Sequence, residues 1–573
     1  MPSHNDINPL ITRLARRMQF IYKDTFSEGH MNRILGWISY YNRRPQTTKP
    51  WDEKDIVLIT YANTLIQPGE KPLRTLHRFL RSQLDESVNC VHLLPFFPFT
   101  SDDGFAVSDF MTVNQSFGHW GDITAITNDF NLMADLVINH VSTSHPWFRN
   151  YLQGDAPGKG FFIEAEPGAD YSQVVRPRST PLFTSFETSM GKRDVWTTFS
   201  DDQADLNFAN PEVLIEMIRV LLFYVSQGVR IVRLDAIAYL WKKPGTACIH
   251  LPETHEIVKL LREILTFVDP GVLLITETNV PNRENWSYFG ENNEAHMVYQ
   301  FSLPPLLLHA LFTGNSEFLT RWAREIPDIP PGQTFFNYTA SHDGIGVRPL
   351  EGLLPPAEIR KLADAIVAFG GKISEKINPD GSKSPYELNI TYLDAMKGDV
   401  NGIDKLQIPR FICSQTIMMS IRGIPAFYIH SLLGTSNDYD GMRTTGRARS
   451  INRKTWPVKE LMALLSGDTT HSMICNELRR LMVLRRKWKA FHPDSAMVIL
   501  SLGVEFFAFD RVHPETGEKI LCISNITPRS QMVHLTLMPG EQGTDLIAAD
   551  EQLLLSEPIP FRAYQTRWIS YHY

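Results

Sequence analysis

The sequence is short of the features that mark several large protein classes. It holds no apolar run long enough to span a bilayer, and its first twenty residues, MPSHNDINPLITRLARRMQF, lack the uninterrupted apolar segment of a secretory signal. The five cysteines, Cys90, Cys248, Cys413, Cys475 and Cys522, are scattered without the close pairing of a zinc site. Their odd number would leave one unpaired in a secreted protein, so a reducing, cytoplasmic setting is expected. A formal charge of −7 is small for 573 residues and gives no footprint for nucleic acid or a membrane surface. No glycine-rich phosphate loop follows a strand-like run, so no organic cofactor is expected. There is no internal repeat and no low-complexity tract.

What is present is a chain with 43% hydrophobic residues, long enough for roughly two to four domains if a barrel counts as one. From about residue 55 to 490, eight short apolar runs alternate with helical patterns. They are DIVLITY, CVHLLPF, MADLVINH, VRIVRLDAIAY, VLLITET, HMVYQFSL, TFFNYTASHD and IPAFYIH. Between them lie segments such as EVLIEMIRVLLFYVSQG, with Gly228 as a helix stop. This alternation predicts an α/β fold, a parallel (β/α)8 TIM barrel.

Two interruptions fall after strands, where such barrels assemble their sites. Residues 141–205, after the third strand, are expected to form an inserted subdomain. Residues 345–400, after the seventh, carry the turn-forming NPDGSKSP and are expected to cover the barrel mouth. After about 491, alternating segments joined by HPETGEK predict a C-terminal antiparallel β domain, 491–573. Residues 1–54 are expected to be a helical extension: Leu10, Ile11, Leu14, Met18 and Ile21 recur at helical spacing, with Arg13, Arg16 and Arg17 on other faces.

Several strands end in ionisable residues. VRLDA ends the fourth on Asp235, LLITET the fifth on Glu277, and TASHDG the seventh on His342 and Asp343; VINH places His140 after the third. Arg233 lies two residues before Asp235, hence on the same inward face. A single acidic residue after a strand is commonly a helix cap. A constellation at successive strand ends is a candidate active site.

These segments resemble glycoside hydrolase family 13, the α-amylase family: DLVINH, VRLDA, ITET and ASHDG look like its first four signature regions, and QADLN its fifth. The resemblance implies Asp235 as nucleophile, Glu277 as acid/base and Asp343 as the third carboxylate, gripping the sugar's 2- and 3-hydroxyls, with His140 and His342 as sugar-binding histidines. Glycosidic cleavage needs one carboxylate at the anomeric carbon and one carboxylic acid at the leaving oxygen. Arg233 is expected to keep Asp235 ionised, whereas burial and nearby carboxylates are expected to raise Glu277.

Within the family, the chain is most similar to the sucrose-phosphorylase-like subgroup. HLLPFFPFTSDDGF supplies Asp102 and Phe105 for the glucose pocket, and RARSINR supplies Arg449, implied as the partner of Asp102. VVRPRSTPLF supplies Arg176 and Arg178, the second matching the subgroup's phosphate-binding arginine. Tyr239 and Tyr386 match its acceptor-site tyrosines. The loop PDGSKSPYELN departs from the sucrose pattern and, with the N-terminal extension, WKKPGTACIH and ITETNVP, looks more like the glucosylglycerate phosphorylases. Lys383 or Arg176 is then a counter-charge for glycerate, and Glu387 adjoins the loop tyrosine. The expected partners are an α-glucoside, inorganic phosphate and glucose 1-phosphate, with a homodimer left open.

Sucrose and sucrose 6′-phosphate stay open as substrates. A hydrolase or transglucosylase with the same carboxylates, and a non-catalytic binding subunit, are the competing functions. In many α-amylases the asparagine matching Asn139 binds calcium. Members of this subgroup generally do not bind it, so no metal is expected and Asn139 is read as holding the inserted segment.

Overall fold

The computed structural model describes residues 4–41, 50–178, 180–377, 382–535 and 542–571. Eight parallel strands close into a barrel: β1 (Val57–Thr60), β2 (Cys90–Leu93), β3 (Asn131–Val137), β4 (Val229–Asp235), β5 (Leu273–Thr276), β6 (Met297–Tyr299), β7 (Thr334–Tyr338) and β8 (Ile424–Tyr428). Each pairs with its sequence neighbours, and β8 closes onto β1 through Val57 opposite Ala426. Their near-continuous apolar runs follow from burial on both faces, inside the barrel and beneath the helices.

Register places the later chemistry. β3 and β4 align Asp135 with Arg233 and Val137 with Asp235, and β4 and β5 align Leu234 with Thr276. Glu277, one residue beyond β5, donates its backbone N–H to the Leu234 carbonyl at 3.2 Å. The nucleophile candidate and the acid candidate are thus held by adjacent strand ends.

The two interruptions are built differently. After β3, residues His140–Ser142 pair antiparallel with Gln203–Asp205, so one short ladder ties both ends of the segment at a neck. Beyond the neck lie the helix Pro146–Gln153 and the hairpin Phe183–Thr188/Gly191–Trp196. After β7, Ile345–Gly346, Lys383–Asn389 and Lys372–Ile377 form a three-stranded sheet behind the helix Pro356–Ala368. The NPDG part of the expected turn lies outside the described residues.

At the N-terminus, α1 (His4–Tyr22) packs on the barrel helix Pro252–Val268, and α2 (Glu28–Tyr41) on Pro211–Ser226. Leu10, Leu14, Met18 and Ile21 are buried, while Ile11 is only half-buried. Arg17 does not project to solvent, since it pairs with Glu256 at 2.7 Å and Glu263 at 2.8 Å.

The C-terminal part is a six-stranded antiparallel sheet around Phe506–Val512, Lys519–Asn525 and Thr566–Tyr571. Alternate residues split its faces: Phe507, Phe509, Cys522 and Trp568 join the barrel core, whereas Phe506, Ala508, Leu521 and Ile523 form a core of their own. Two buried arginines fasten the junction. Arg485 donates to the carbonyls of Met419, Glu53 and Phe491, and Arg511 to those of Ser420 and His492. All five cysteines are free and buried. Among the described residues, no helix is long and apolar enough to cross a membrane.

Candidate active site

The strand ends and both interruptions converge on one cleft. Its floor is an ion-pair chain that begins inside the barrel. Arg233 donates to Asp135, which is fully buried and also holds His92 at 2.8 Å, and to Asp235 at 2.6 Å. Glu277 lies farther from the same guanidinium, at 4.0 Å, and its Oε2 accepts the Ala236 N–H at 3.0 Å. Ala236 has φ 52°, a left-handed conformation that a non-glycine residue adopts only under constraint. That kink ends β4 at Asp235 and starts the short turn Ile237–Tyr239.

Burial pushes both Asp235 and Glu277 above the usual carboxylate range, and Arg233 opposes it in each. The separation expected between the two groups therefore does not come from burial. It comes from contact: at 2.6 Å against 4.0 Å, the guanidinium favours negative charge on Asp235. At Asp343 burial acts upward as well, but Arg449 at 2.6 Å, His342 and Arg453 outweigh it and hold the carboxyl below the usual range.

The cleft lining includes Asp102, Phe105, His140, His342 and Arg449. Phe105 stacks on His342 with centroids 4.8 Å apart and planes at 9°. Burial lowers both histidines, His342 to about 3, so they are neutral hydrogen-bonding groups at pH 7. His140 Nε2 lies 3.1 Å from the Phe105 carbonyl and from Gln203 Nε2. Asp102, itself left-handed at φ 53°, accepts from Gln203 at 3.3 Å. Arg449 lines the cleft with Asp102, but its ion pairs go to Asp343 and Glu387.

Tyr239, Tyr386, Arg178, Asn279 and Val280 line the same cleft. Unlike Arg233 and Arg449, Arg178 has no carboxylate within ion-pair distance among the described residues. Three residues that the sequence offered for acceptor binding lie outside the cleft lining. Arg176 is exposed, and Lys383 stands on the outer hairpin, 3.7 Å from Glu375. Glu387 is buried one residue from Tyr386, where it clamps Arg449 at 3.0 Å and accepts the Gly344 N–H. Tyr386 is the extra residue of a bulge in the strand Lys383–Asn389, since Glu375 pairs with Pro385 and Ser374 with Glu387.

Behind the site, the Lys242 ammonium lies 2.7 Å from each of three oxygens, those of Asn139, Asp205 and the Tyr239 carbonyl. Asn139 also donates to Asp205 at 3.0 Å. One buried cation thus ties β3, the neck of the inserted segment and the turn after Asp235. Sequence reasoning missed His92, Asp135, Gln203 and Lys242. Two carried a signal: Gln203 opens the QADLN segment, and Asp135 is a lone charge in an otherwise apolar strand.

Comparison with known proteins agrees with this geometry. Residues 85–319 match the family model described as alpha amylase, catalytic domain. The glucosylglycerate phosphorylase of Escherichia coli (strain K12) is 43% identical over 96% of this chain and 98% of its own. That of Spirochaeta thermophila is 48% identical over 90% of this chain and 89% of its own. The crystal structure of sucrose 6F-phosphate phosphorylase from Thermoanaerobacter thermosaccharolyticum superposes with a TM-score of 0.74 at 23% identity, covering 90% of this chain and all of the other, and so supports the fold. With full-length relatives at this identity and a barrel whose strand ends carry the α-amylase constellation, the chain belongs to glycoside hydrolase family 13, the α-amylase family, beside its glucosylglycerate and sucrose phosphorylases.

Proposed function

We propose that this protein is a retaining glucosylglycerate phosphorylase, converting glucosylglycerate and phosphate to α-glucose 1-phosphate and glycerate. The identities of 43% and 48% to proteins of that activity, over nearly whole chains, support the substrate. Arg178 carries the phosphorylase assignment: a cation lining the cleft with no carboxylate within ion-pair distance among the described residues supplies the charge an attacking anion needs.

In the first displacement, an Asp235 oxygen bonds to the anomeric carbon as its bond to the glycerate oxygen breaks, and the Glu277 proton passes to that oxygen. Asp343, kept ionised by Arg449, grips the ring hydroxyls as positive charge develops. In the second, a phosphate oxygen attacks the same carbon, the bond to Asp235 breaks, and Glu277 takes the phosphate proton. Two inversions give net retention. Phe105 on His342 forms an apolar wall for the sugar. Five buried, unbridged thiols support a reducing, cytoplasmic setting.

The deciding experiment incubates the protein with phosphate and, separately, glucosylglycerate, sucrose or sucrose 6′-phosphate, and measures glucose 1-phosphate. Glucosylglycerate is expected to react fastest. A preference for sucrose, or release of free glucose at equal rate with and without phosphate, would overturn the assignment.

A further inference from the structure

Glu387 is buried, stands outside the cleft lining, and has no task in the two displacements. Its carboxylate meets Arg449 along one edge of the guanidinium: one oxygen lies 3.0 Å from Nε, and the other 3.0 Å from Nη2 and 3.2 Å from Nε. That side-on grip leaves Nη1 to Asp343, at 2.6 Å. One arginine is thus shared between two carboxylates through different nitrogens.

The same glutamate holds the backbone beside Asp343. The Gly344 N–H donates to Glu387 Oε1, because Ile345–Gly346 pairs antiparallel with Lys383–Asn389 and sets Gly346 opposite Glu387. The approach is so close that a Cβ on residue 344 would lie 2.6 Å from the Glu387 Cγ. Only a glycine there leaves room for the carboxylate. The contacts close a ring: Asp343 to Arg449, Arg449 to Glu387, and Glu387 to the residue that follows Asp343. Asn452 and Arg453 moor it from the other side, donating to the carbonyls of Asp343 at 3.0 Å and His342 at 2.7 Å.

We infer that Glu387 is a positioning residue for the glucosyl group, acting through Arg449 on Asp343, and is not a ligand of the acceptor. The inference rests on the function assigned above and gives the insertion after β7 a part in glucose recognition. Its basis is the planar fork of the guanidinium: with one edge fixed on Glu387, the remaining donors have one direction, and the Asp343 carboxylate is held where it meets the sugar hydroxyls. A neutral partner holds the fork less tightly and loosens Asp343 with it.

The test separates donor from acceptor in the full-length protein. α-Glucosyl fluoride forms the glucosyl-enzyme without any acceptor, and free glucose inhibits by occupying the glucose site alone. In Glu387→Gln, with phosphate saturating, KM for α-glucosyl fluoride is expected to rise about tenfold, the worth of roughly one charge-assisted hydrogen bond, and the inhibition constant of glucose by a similar factor. The rates at which phosphate, glycerate and glycerol take up the glucosyl group should keep their ratios. Arg449→Gln should lose more, and adding Glu387→Gln to it should cost nothing further, since the contact is already gone. Should Glu387→Gln fail to fold, Glu387→Asp, with the charge on a shorter arm, carries the same comparison. An unchanged KM for the donor with altered acceptor ratios would overturn the inference, as would additive losses in the double variant. If the unaltered protein prefers sucrose to glucosylglycerate, the substrate assignment falls, and inhibition by glucose still decides the role of Glu387.

Discussion

The arginines around the cleft are alike in type but wired in opposite ways. Three have carboxylate partners: Arg233 holds Asp135 and Asp235, Arg449 holds Asp343 and Glu387, and beside them Arg453 holds Asp103. Arg178 lines the same cleft with no carboxylate within ion-pair distance among the described residues. A braced set of ion pairs suits a fixed glucosyl group, whose hydroxyls need oriented partners. A cation without such a partner suits ligands that bring negative charge and then leave. The carboxylates at the barrel strand ends are the rigid part, whereas Arg178 and Tyr386 come from the two interruptions.

The largest expected effects break the braced set. Asp235→Asn should lower turnover by roughly 10⁴-fold or more with every donor, because the covalent step is lost. Glu277→Gln should spare α-glucosyl fluoride, which needs no proton for departure, far more than glucosylglycerate. Equal, mild losses in the two variants, measured by release of glucose 1-phosphate, would contradict their division of roles.

Next in size is the buried cation behind the site. Lys242→Met leaves Asp205 charged, buried and without its ammonium, and should destabilise the fold by about 3–5 kcal/mol in a denaturant titration. Asn139→Ala, which removes a neutral partner, should cost clearly less.

Arg178→Ala sharpens the contrast between the arginines. Phosphate affinity should fall about ten- to hundredfold, equivalent to about 1.5–3 kcal/mol, with products shifting toward free glucose. Hydrolysis of the glucosyl-enzyme by water should change little by comparison. An unchanged phosphate dependence would make Arg178 structural.

The smallest effect concerns stability against pH. Burial raises Glu277 above its unfolded value, so its protonated form is favoured by folding; that contribution is present below the unfolded pKa and is lost as pH rises through the folded one. Glu277→Gln should therefore raise the melting temperature by about 1–3 °C at pH 8 and by less at pH 5. Asp343 works the other way. Its lowered pKa keeps it ionised through mildly acid pH, so the acid limb of the rate profile should persist unchanged in variants that weaken only acceptor binding.

The barrel, the C-terminal sheet and the three carboxylates were legible in the sequence because each rests on local pattern. Apolar runs of strand length report burial on two faces, and ionisable residues at their ends report the mouth of the barrel. The buried stripe of α1 was legible at Leu10, Leu14 and Met18 for the same reason, through helical spacing. The sequence alone could not show where long side chains end. Lys242 and Lys243 are adjacent, and only the packing of β3 against the neck puts the first among three oxygens and leaves the second exposed. Lys383, Arg176 and Glu387 were plausible by proximity to Tyr386 or Arg178. Yet Glu387 is turned to Arg449, and the hairpin carries Lys383 outward to Glu375. Composition and period determine which surfaces are buried. Which charge meets which partner is decided by contacts between segments far apart in the chain, since ion-pair and hydrogen-bond energies depend on ångström separations that only tertiary packing sets.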